Sequence, residues 1–294
     1  MFEPQALNDN TLPFFPLAHI NTTAATPSNE AFENVKKNLI KNYPRMQALS
    51  EFTKVKGMGV PIALAGGGPS IKKELDNLRK FKTIIACGSS HDYLIKNDII
   101  PTYCAVCDPD PIIINYLQLK HPEVKYLIAS ACHENIFKYL EGMQIILWHC
   151  HSPEIGNKIF ELEKEKNTNY EAIGGGCTVG LRSLSIAIMF GYGNIHLFGF
   201  DSCMSENEHH AYEFFDPEKE QMGELYKIRI GMDKARDDKT YLCAGYQLAQ
   251  VAHFKDFYIA YREVFKPTFH GTGLLPDFMQ MINDETEKLM VKSA

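Results

Sequence analysis

The sequence predicts an α/β fold built on a mainly parallel sheet, and three observations lead to this prediction. Short apolar segments typical of buried strands alternate with amphipathic segments typical of helices. Such alternation favours strands that are joined by crossover helices within one parallel sheet. Glycines, serines and aspartates follow several of the strands, at the edge where parallel sheets of this class bind ligands.

The N-terminal part, residues 1–55, is predicted to form an arm and a helix. Residues 1–30 are rich in Asn, Thr and Pro, which are typical of irregular structure. Phe32, Val35 and Leu39 then recur at helical spacing, and Pro44 interrupts the pattern. We therefore expect a helix, broken near Pro44, between the arm and the sheet.

Residues 56–204 carry the alternating pattern and are predicted to form the core domain. The predicted strands are short and apolar, and they cover residues 61–65, 83–86, 103–106, 125–129, 144–148 and 194–198. The predicted helices lie between them and cover residues 71–81, 91–97, 112–119, 134–140, 153–164 and 179–190.

The alternation fades in residues 205–294, which are predicted to form a C-terminal helical cap or lid over the site. A helix is expected over about 244–264, after a densely charged stretch at 218–238. A solvated helix that packs on the surface is the alternative explanation for the charged stretch.

A first glycine cluster joins the strand at 61–65 to the following helix. Glycines have no Cβ, so their N–H groups can approach a ligand closely, and the positive end of a helix favours a phosphate. Proline suits the first turn of a helix, and serine is expected to cap it. A tight strand–helix turn without a ligand is the alternative. The candidate nucleotide-binding residues here are Gly66, Gly67, Gly68, Pro69 and Ser70.

A second glycine cluster opens the apolar helix at 179–190, and small or acidic residues end two further strands. The cluster is again expected to present free N–H groups to an anion, and a flexible glycine loop is its alternative. Two such junctions in one sheet favour a ligand with two anionic ends, such as an activated nucleotide. The further candidate nucleotide-binding residues are Gly88, Ser89, Ser90, Gly175, Gly176, Cys177, Thr178 and Asp201.

Two carboxylates and a histidine are the candidates for chemistry. Asp108 and Asp110 could hold Mg²⁺ together, or Asp108 could accept a hydrogen bond from a ribose or acceptor hydroxyl. Aspartates beside prolines are also common turn formers. His209 and His210 follow the last core strand, and either could serve as a general acid or base, although surface histidines are frequent.

Cys104 and Cys107 have a spacing found in zinc sites, with His149 and His151 as possible partners. However, Cys104 falls in a predicted strand, where residues three apart point to opposite faces. Core thiols are therefore the expected role of these cysteines.

Composition excludes several classes of protein. The formal net charge of −6 argues against nucleic acid as the main partner. No segment approaches the roughly 18 apolar residues that a membrane span requires, and the N-terminus has no signal-peptide pattern. The cysteines lie mostly in apolar segments, which suits reduced thiols. A cytoplasmic location is the expectation.

Four ordered motifs resemble one known family. They are LAGGGPSI at 64–71, IACGSS at 85–90, NDIIPTYCAVCDP at 97–109 and GGCTVGLRSLSIAIMF at 175–190. Together they resemble the MptE-like domain family, which includes archaeal 6-hydroxymethylpterin diphosphokinases and the Maf factors that glycosylate flagellin. The likeness covers about residues 60–212 and extends distantly to bacterial sialyltransferases that use CMP-sialic acid.

The resemblance implies a Rossmann-like sheet with a nucleotide over the first glycine loop. It places Gly88 to Ser90 at the ribose or base, Asp108 at the transfer centre, and the second glycine cluster in the donor pocket. His210 resembles the histidine of a His-Ala pair in Maf proteins. Sialyltransferases typically have asparagines where this chain has Gly67, Gly88 and Asp108, which moves the chain toward the Maf and pterin-kinase branches.

The leading expectation is a nucleotide-dependent transferase, favoured as a glycosyltransferase that uses a nucleotide-sugar donor and a small-molecule or glycan acceptor. Asp108 and His210 are its candidate catalytic residues. The alternative is a diphosphokinase that uses ATP and Mg²⁺, with Asp108 and Asp110 as metal ligands. A nucleotide-binding module without catalysis is the third possibility, and the oligomeric state stays open.

Overall fold

The computed structural model describes residues 5–6, 28–39, 59–151, 155–170, 172–205, 208, 210–213, 225–230 and 239–293. The strands in this part of the chain are β1 (Gln5–Ala6), β2 (Pro61–Ala65), β3 (Ile84–Cys87), β4 (Tyr103–Val106), β5 (Lys125–Ala129), β6 (Gln144–Cys150), β7 (Ala172–Ile173), β8 (Asn194–Phe198), β9 (Leu225–Ile230), β10 (Lys239–Ala244) and β11 (Lys266–His270).

The α-helices in the same part are α1 (Ser28–Leu39), α2 (Leu75–Leu78), α3 (Ser90–Lys96), α4 (Glu134–Tyr139), α5 (Gly156–Lys166), α6 (Val179–Met189), α7 (Gly245–Tyr261) and α8 (Leu274–Ser293). Two 3₁₀-helices, Pro69–Lys73 and Pro111–Tyr116, join strands to the elements that follow them.

The centre of the molecule is an eight-stranded parallel sheet with the order β11-β8-β2-β3-β4-β5-β6-β7. The predicted α/β fold with a Rossmann-like parallel sheet is therefore confirmed. Its inner strands are almost continuously apolar and buried, as expected of strands that are covered on both faces. Strand order runs outward from β2 in both directions, so β2 marks the topological switch point where such sheets form a ligand crevice.

The predicted strands agree closely with the observed ones. The bounds of β2, β4, β5 and β8 are those predicted, whereas β3 is shifted by one residue and β6 continues to Cys150. Of the predicted helices, the one at 71–81 is divided between a 3₁₀ turn and a short α-helix, and the one at 112–119 is a 3₁₀-helix instead. In the first of them, Glu74 adopts φ −113° and separates the 3₁₀ turn from the short α2.

The C-terminal third contains strands that the sequence pattern did not predict. β9 pairs antiparallel with β10 and parallel with β1, which gives a separate three-stranded sheet. β11 joins the edge of the main sheet beside β8. The predicted helix near 244–264 is present as α7. Most of the charged stretch, at 218–224 and 231–238, lies outside the described residues, as do Pro44 and most of the arm.

The helix α1 is attached to the carboxyl edge of the sheet by buried amides. The Nδ2 atom of Asn38 donates to the carbonyl oxygens of Ser130 and Cys132 at 2.8 Å each, and Nδ2 of Asn34 donates to the carbonyl of Ala131 at 3.1 Å. Among the described residues, no helix has both the length and the apolar character that crossing a bilayer demands.

Candidate functional site

A cavity of about 140 Å³ lies at the carboxyl ends of β2, β3 and β8, at the switch point of the sheet. The N-terminal ends of α6 and α7 also reach it. The predicted site residues that line the cavity are Gly66, Gly67, Gly68, Ser89, Thr178 and His210. The structure thus brings the first glycine cluster, Thr178 from the second cluster, Ser89 and His210 to one place.

The first glycine loop is pressed against the end of β8. The N–H of Gly66 donates to the carbonyl of Phe198 at 2.7 Å, and the N–H of Gly68 donates to the carbonyl of Gly199 at 2.9 Å. A Cβ on Gly66 would lie 2.6 Å from the oxygen of Gly199, closer than side-chain carbons approach. The glycines are therefore required by backbone packing as well as by any ligand.

Asp201 lies beneath this loop, and its carboxylate is at the N-terminal end of the first 3₁₀-helix. Its Oδ2 accepts from the Ser70 N–H at 2.8 Å, and its Oδ1 accepts from the Ser70 hydroxyl at 2.5 Å. Burial raises the pKa of Asp201 to about 6, although both hydrogen bonds from Ser70 oppose that rise. A carboxylate of the chain itself thus accepts from the first N–H group of this turn.

The expectation that Ser70 caps the following helix is wrong. The cap residue is Gly68, Pro69 occupies the first turn, and the Ser70 side chain turns to Asp201 instead. A capping serine accepts from a backbone N–H through its hydroxyl oxygen, whereas the Ser70 hydroxyl donates to the Asp201 carboxylate, and the extended backbone of the cap position falls on Gly68. Neither Pro69, Ser70 nor Asp201 lines the cavity, and their assignment to nucleotide binding stays a prediction.

The segment from His210 to Tyr212 covers the first glycine loop. The N–H of Ala211 donates to the carbonyl of Gly67 at 2.8 Å, and Nδ1 of His210 lies 3.3 Å from the same oxygen. The rings of His210 and Tyr212 stack with centroids 5.1 Å apart and planes 8° apart. The Tyr212 hydroxyl lies 2.5 Å from Oγ of Ser89, so this segment joins the ends of β2 and β3. His209 lies outside the described residues.

The three residues after β3 have different roles: one lines the cavity, and the other two shape and fix the backbone. Gly88 adopts φ +58°, a left-handed conformation that favours glycine. The buried hydroxyl of Ser90 donates to the carbonyl of Ala65 at 2.7 Å and fixes α3 against β2. Ser89 alone of the three lines the cavity.

The second glycine cluster contributes the beginning of α6 to the cavity. Thr178 caps this helix, since its Oγ1 accepts from the Leu181 N–H at 3.3 Å. Gly175 and Gly176 have φ of +123° and +105° and pack against α6 and His253 rather than lining the cavity. The N–H of Cys177 donates to Nδ1 of His253 at 3.2 Å.

Asp108 and Asp110 lie past the end of β4 and do not line the cavity. Asp108 Oδ1 accepts from the Asp110 N–H at 2.9 Å, and Asp110 Oδ1 accepts from the Ile112 N–H at 2.8 Å and caps the second 3₁₀-helix. Surrounding protein atoms raise the pKa of Asp108, although its side chain reaches solvent. The turn-forming alternative accounts for these hydrogen bonds.

The cysteine and histidine candidates for zinc do not form a group of metal ligands. Cys104 is buried within β4, whereas a hydrogen bond to Cys150 and burial raise the pKa of the Cys107 thiol. His149 is fully buried, with Nδ1 2.6 Å from Oγ of Ser130. In the described part of the chain, no group of three or more His, Cys, Asp or Glu side chains could hold a metal ion.

Sequence reasoning missed the wall of the cavity that α7 supplies. Tyr246, Gln247 and Gln250 line the cavity from this helix, together with Ser202 and Cys203 after β8. Two glutamines three residues apart in the otherwise apolar first half of the helix were the available signal. The pattern alone does not show which face of α7 meets the sheet.

Comparison with known proteins gives one family and one shared fold. The family model described as 6-hydroxymethylpterin diphosphokinase MptE-like matches residues 33–207. No curated protein matches the sequence. The structure of the Maf glycosyltransferase from Magnetospirillum magneticum AMB-1 is similar, with a TM-score of 0.59 and 15% identity over 84% of this chain and 37% of that chain.

The present chain therefore spans little more than a third of that glycosyltransferase, and the likeness concerns the fold. A mammalian sialyltransferase in complex with Gal-beta-1-3GalNAc-ortho-nitrophenol aligns with a TM-score of 0.40 and 10% identity, over 90% of this chain and 92% of that chain. The family model covers more than half of the sequence, including β2 to β8 and the first glycine loop. The chain belongs to the MptE-like family.

Proposed function

We propose that the chain is a glycosyltransferase that moves a sugar from a nucleotide-sugar donor to a small-molecule or glycan acceptor. Membership of the MptE-like family and the fold shared with a Maf glycosyltransferase support a transferase. The observation that carries the proposal is the position of His210, which lies over the first glycine loop and lines the cavity at the switch point.

The proposed reaction needs a base for the acceptor. The acceptor hydroxyl attacks the anomeric carbon, the bond from that carbon to the donor phosphate oxygen breaks, and the hydroxyl proton passes to the base. If Nδ1 of His210 carries the proton that faces the Gly67 carbonyl, Nε2 is the basic nitrogen of the neutral ring. Stacking on Tyr212 restricts the rotation of the ring.

Asp108 is the second candidate base, and the two candidates can be separated. We expect His210→Gln to lower turnover by roughly 10²–10⁴-fold, the usual contribution of general base catalysis, and to leave nucleotide affinity nearly unchanged. Asp108→Asn, outside the cavity lining, is the matched variant. Turnover is measured as nucleotide released from CMP-, UDP- and GDP-sugars. If His210→Gln turns over like the wild type, His210 has no part in the chemistry.

The first test of the proposal is thermal stabilisation by CMP, CDP, UDP, GDP, ADP and ATP, each with and without Mg²⁺. A ligand that binds only the folded state adds about 2.7 kcal/mol to its stability at a hundredfold excess over Kd. Stabilisation by a product nucleotide without Mg²⁺ supports sugar transfer. No response to any nucleotide would contradict the proposal.

A diphosphokinase is the second candidate, because the family model carries that description. In that case Asp108 and Asp110 would hold Mg²⁺, which supplies charge neutralisation at the transferred phosphates. Each carboxylate has one oxygen bound to a backbone N–H and a second oxygen that could be a cation ligand. Stabilisation by ATP that requires Mg²⁺ and is lost in Asp110→Asn would favour this candidate. Nucleotide binding with no product from any donor would indicate a non-catalytic module.

A further inference from the structure

Two glutamines on α7 present amide groups of fixed orientation to the cavity. Gln247 is only 5% exposed, and its Oε1 accepts from the Ala244 N–H at 2.8 Å. Oε1 of Gln250 accepts from the Ser202 hydroxyl at 3.1 Å. Each carbonyl end is thus bound by the protein, which leaves each NH₂ end as the free donor. Neither NH₂ group has a hydrogen-bond partner among the described residues, and both residues line the cavity.

The beginning of α6 faces the same space. Thr178, Val179 and Gly180 line the cavity, and the first N–H groups of a helix have no partner within the helix. Gly180 lies next to the second glutamine, since a Cβ built on it would be 3.7 Å from Nε2 of Gln250. The amide of Gln250 and the positive end of α6 therefore converge.

The cavity supplies hydrogen-bond donors without a charged side chain. No Asp, Glu, Lys or Arg occurs among the described residues that line it. Neutral donors at a helix N-terminus match a group that has several acceptor oxygens and a negative charge. A sugar hydroxyl matches them less well, because its own proton would also need an acceptor.

We propose that Gln247, Gln250 and the N-terminus of α6 form a subsite for an anionic oxygen group of the donor, a phosphate or a carboxylate. This inference rests on the proposed function, in which the donor is a nucleotide-sugar. The phosphate would be that of the nucleotide, and the carboxylate would be that of an acidic sugar. The two glutamines then select donors by the anionic group.

The sharpest variant is Gln250→Glu, which keeps the oxygen that accepts from Ser202 and replaces only the NH₂ group. Gln250→Met removes the donor without adding charge and keeps the test valid if the new carboxylate disturbs folding. Gln144→Glu is the matched control, because Gln144 is exposed at the start of β6, on the opposite edge of the sheet. All are measured at pH 8, where a half-buried carboxylate is ionised.

The probes are nucleoside 5′-monophosphates against their nucleosides, inorganic phosphate, and glucuronate against glucose, with affinity read from thermal stabilisation. We expect monophosphates or glucuronate to bind at least tenfold more weakly to both Gln250 variants and unchanged to the Gln144 control. Loss confined to phosphates identifies the nucleotide phosphate as the occupant, and loss confined to glucuronate identifies the sugar carboxylate.

The outcomes separate the subsite from the proposed function. Binding of monophosphates and of glucuronate that is in both cases equal in the wild type and both Gln250 variants overturns the subsite and leaves the glycosyltransferase proposal standing. Binding of inorganic phosphate that depends on Gln250, with no response to nucleotides, supports the subsite and contradicts a nucleotide-sugar donor. A wild type that responds to none of these anions overturns the subsite.

Discussion

Replacing Gly67 with alanine tests whether the segment from His210 to Tyr212 packs directly against the first glycine loop. A Cβ at this position would lie 2.5 Å from the Tyr212 hydroxyl and 2.7 Å from Nδ1 of His210. Both distances are far below van der Waals contact, so the covering segment must move. That movement also strains the hydrogen bond from the Ala211 N–H to the Gly67 carbonyl.

The expected magnitude follows from the cost of inserting one methyl group into a packed interior, about 1–3 kcal/mol. We expect the free energy of unfolding of Gly67→Ala, measured by urea denaturation, to fall by that amount. Gly174→Ala is the matched control in the second glycine cluster, because its Cβ would meet nothing within 4 Å. The control should be neutral or more stable by about 0.4–1 kcal/mol.

A second-site variant locates the clash. Tyr212→Phe removes the oxygen nearest to the new Cβ, so it should cost less in the Gly67→Ala background than in the wild type. The expected coupling is about 0.5–3 kcal/mol, the usual range for residues in contact. Equal stability of Gly67→Ala and Gly174→Ala, together with strict additivity of the double variant, would refute the packing of His210 and Tyr212 over Gly67.

Three further predictions concern charge and burial. Because the folded-state pKa of Asp201 is raised to about 6, the folded chain retains a proton that the unfolded chain loses. The contribution of Asp201 to stability should therefore fall by about 2 kcal/mol between pH 4 and pH 7. Urea titrations of the wild type and Asp201→Asn at both pH values check this, and a constant difference contradicts it. Burial lowers the pKa of His196 and of His270, which lie 2.8 Å apart through Nδ1 and Nε2. Stability should decrease as the pH falls below 6.5, because the unfolded chain then binds protons more readily at these histidines, and it should decrease less steeply in His270→Phe. Parallel curves of Tm against pH for the two proteins would exclude the histidine pair as the cause. Asn38→Asp should lower the free energy of unfolding by at least about 2 kcal/mol, and by more than Asn38→Ala does, because an ionised carboxylate cannot donate to the two carbonyls that Asn38 now binds. Urea denaturation at pH 7 measures both losses. An unchanged midpoint would show that this amide does not hold α1.

The sheet could be predicted from sequence because its signal is local. Each inner strand is covered on both faces, so its sequence is a short, continuous apolar run bounded by turn residues. Such a run predicts the strand and its bounds directly. The edge strand β11 lacks that signal, since it begins with Lys266 and Pro267 and is only partly buried. The position of β11 depends on its pairing with β8, and no local sequence pattern predicts that pairing.

The location of the site, at the ends of several strands, could be predicted from the sequence. The contacts between its residues could not. Parallel topology brings the residues after β2, β3 and β8 together, as the sequence indicated. The partner of Ser70 is 131 residues away, so the carboxylate of Asp201 at the helix end could not be foreseen from a local capping rule. Likewise, α7 was expected, whereas the face that presents Gln247 and Gln250 depends on how the helix packs.

The separation between Ser70 and Asp201 has a consequence for the order in which the chain folds. Strands β2 to β7 are joined to one another by short crossovers and can assemble as they are synthesised, whereas β8 arrives more than a hundred residues after β2. At about 5–20 residues per second, that interval lasts roughly 7–26 s on the ribosome. During this time one edge of β2 has no neighbour, and the glycine loop has no carboxylate beneath it. The cavity is therefore among the last parts of the molecule to form, and a ligand that binds there acts on the final steps of folding.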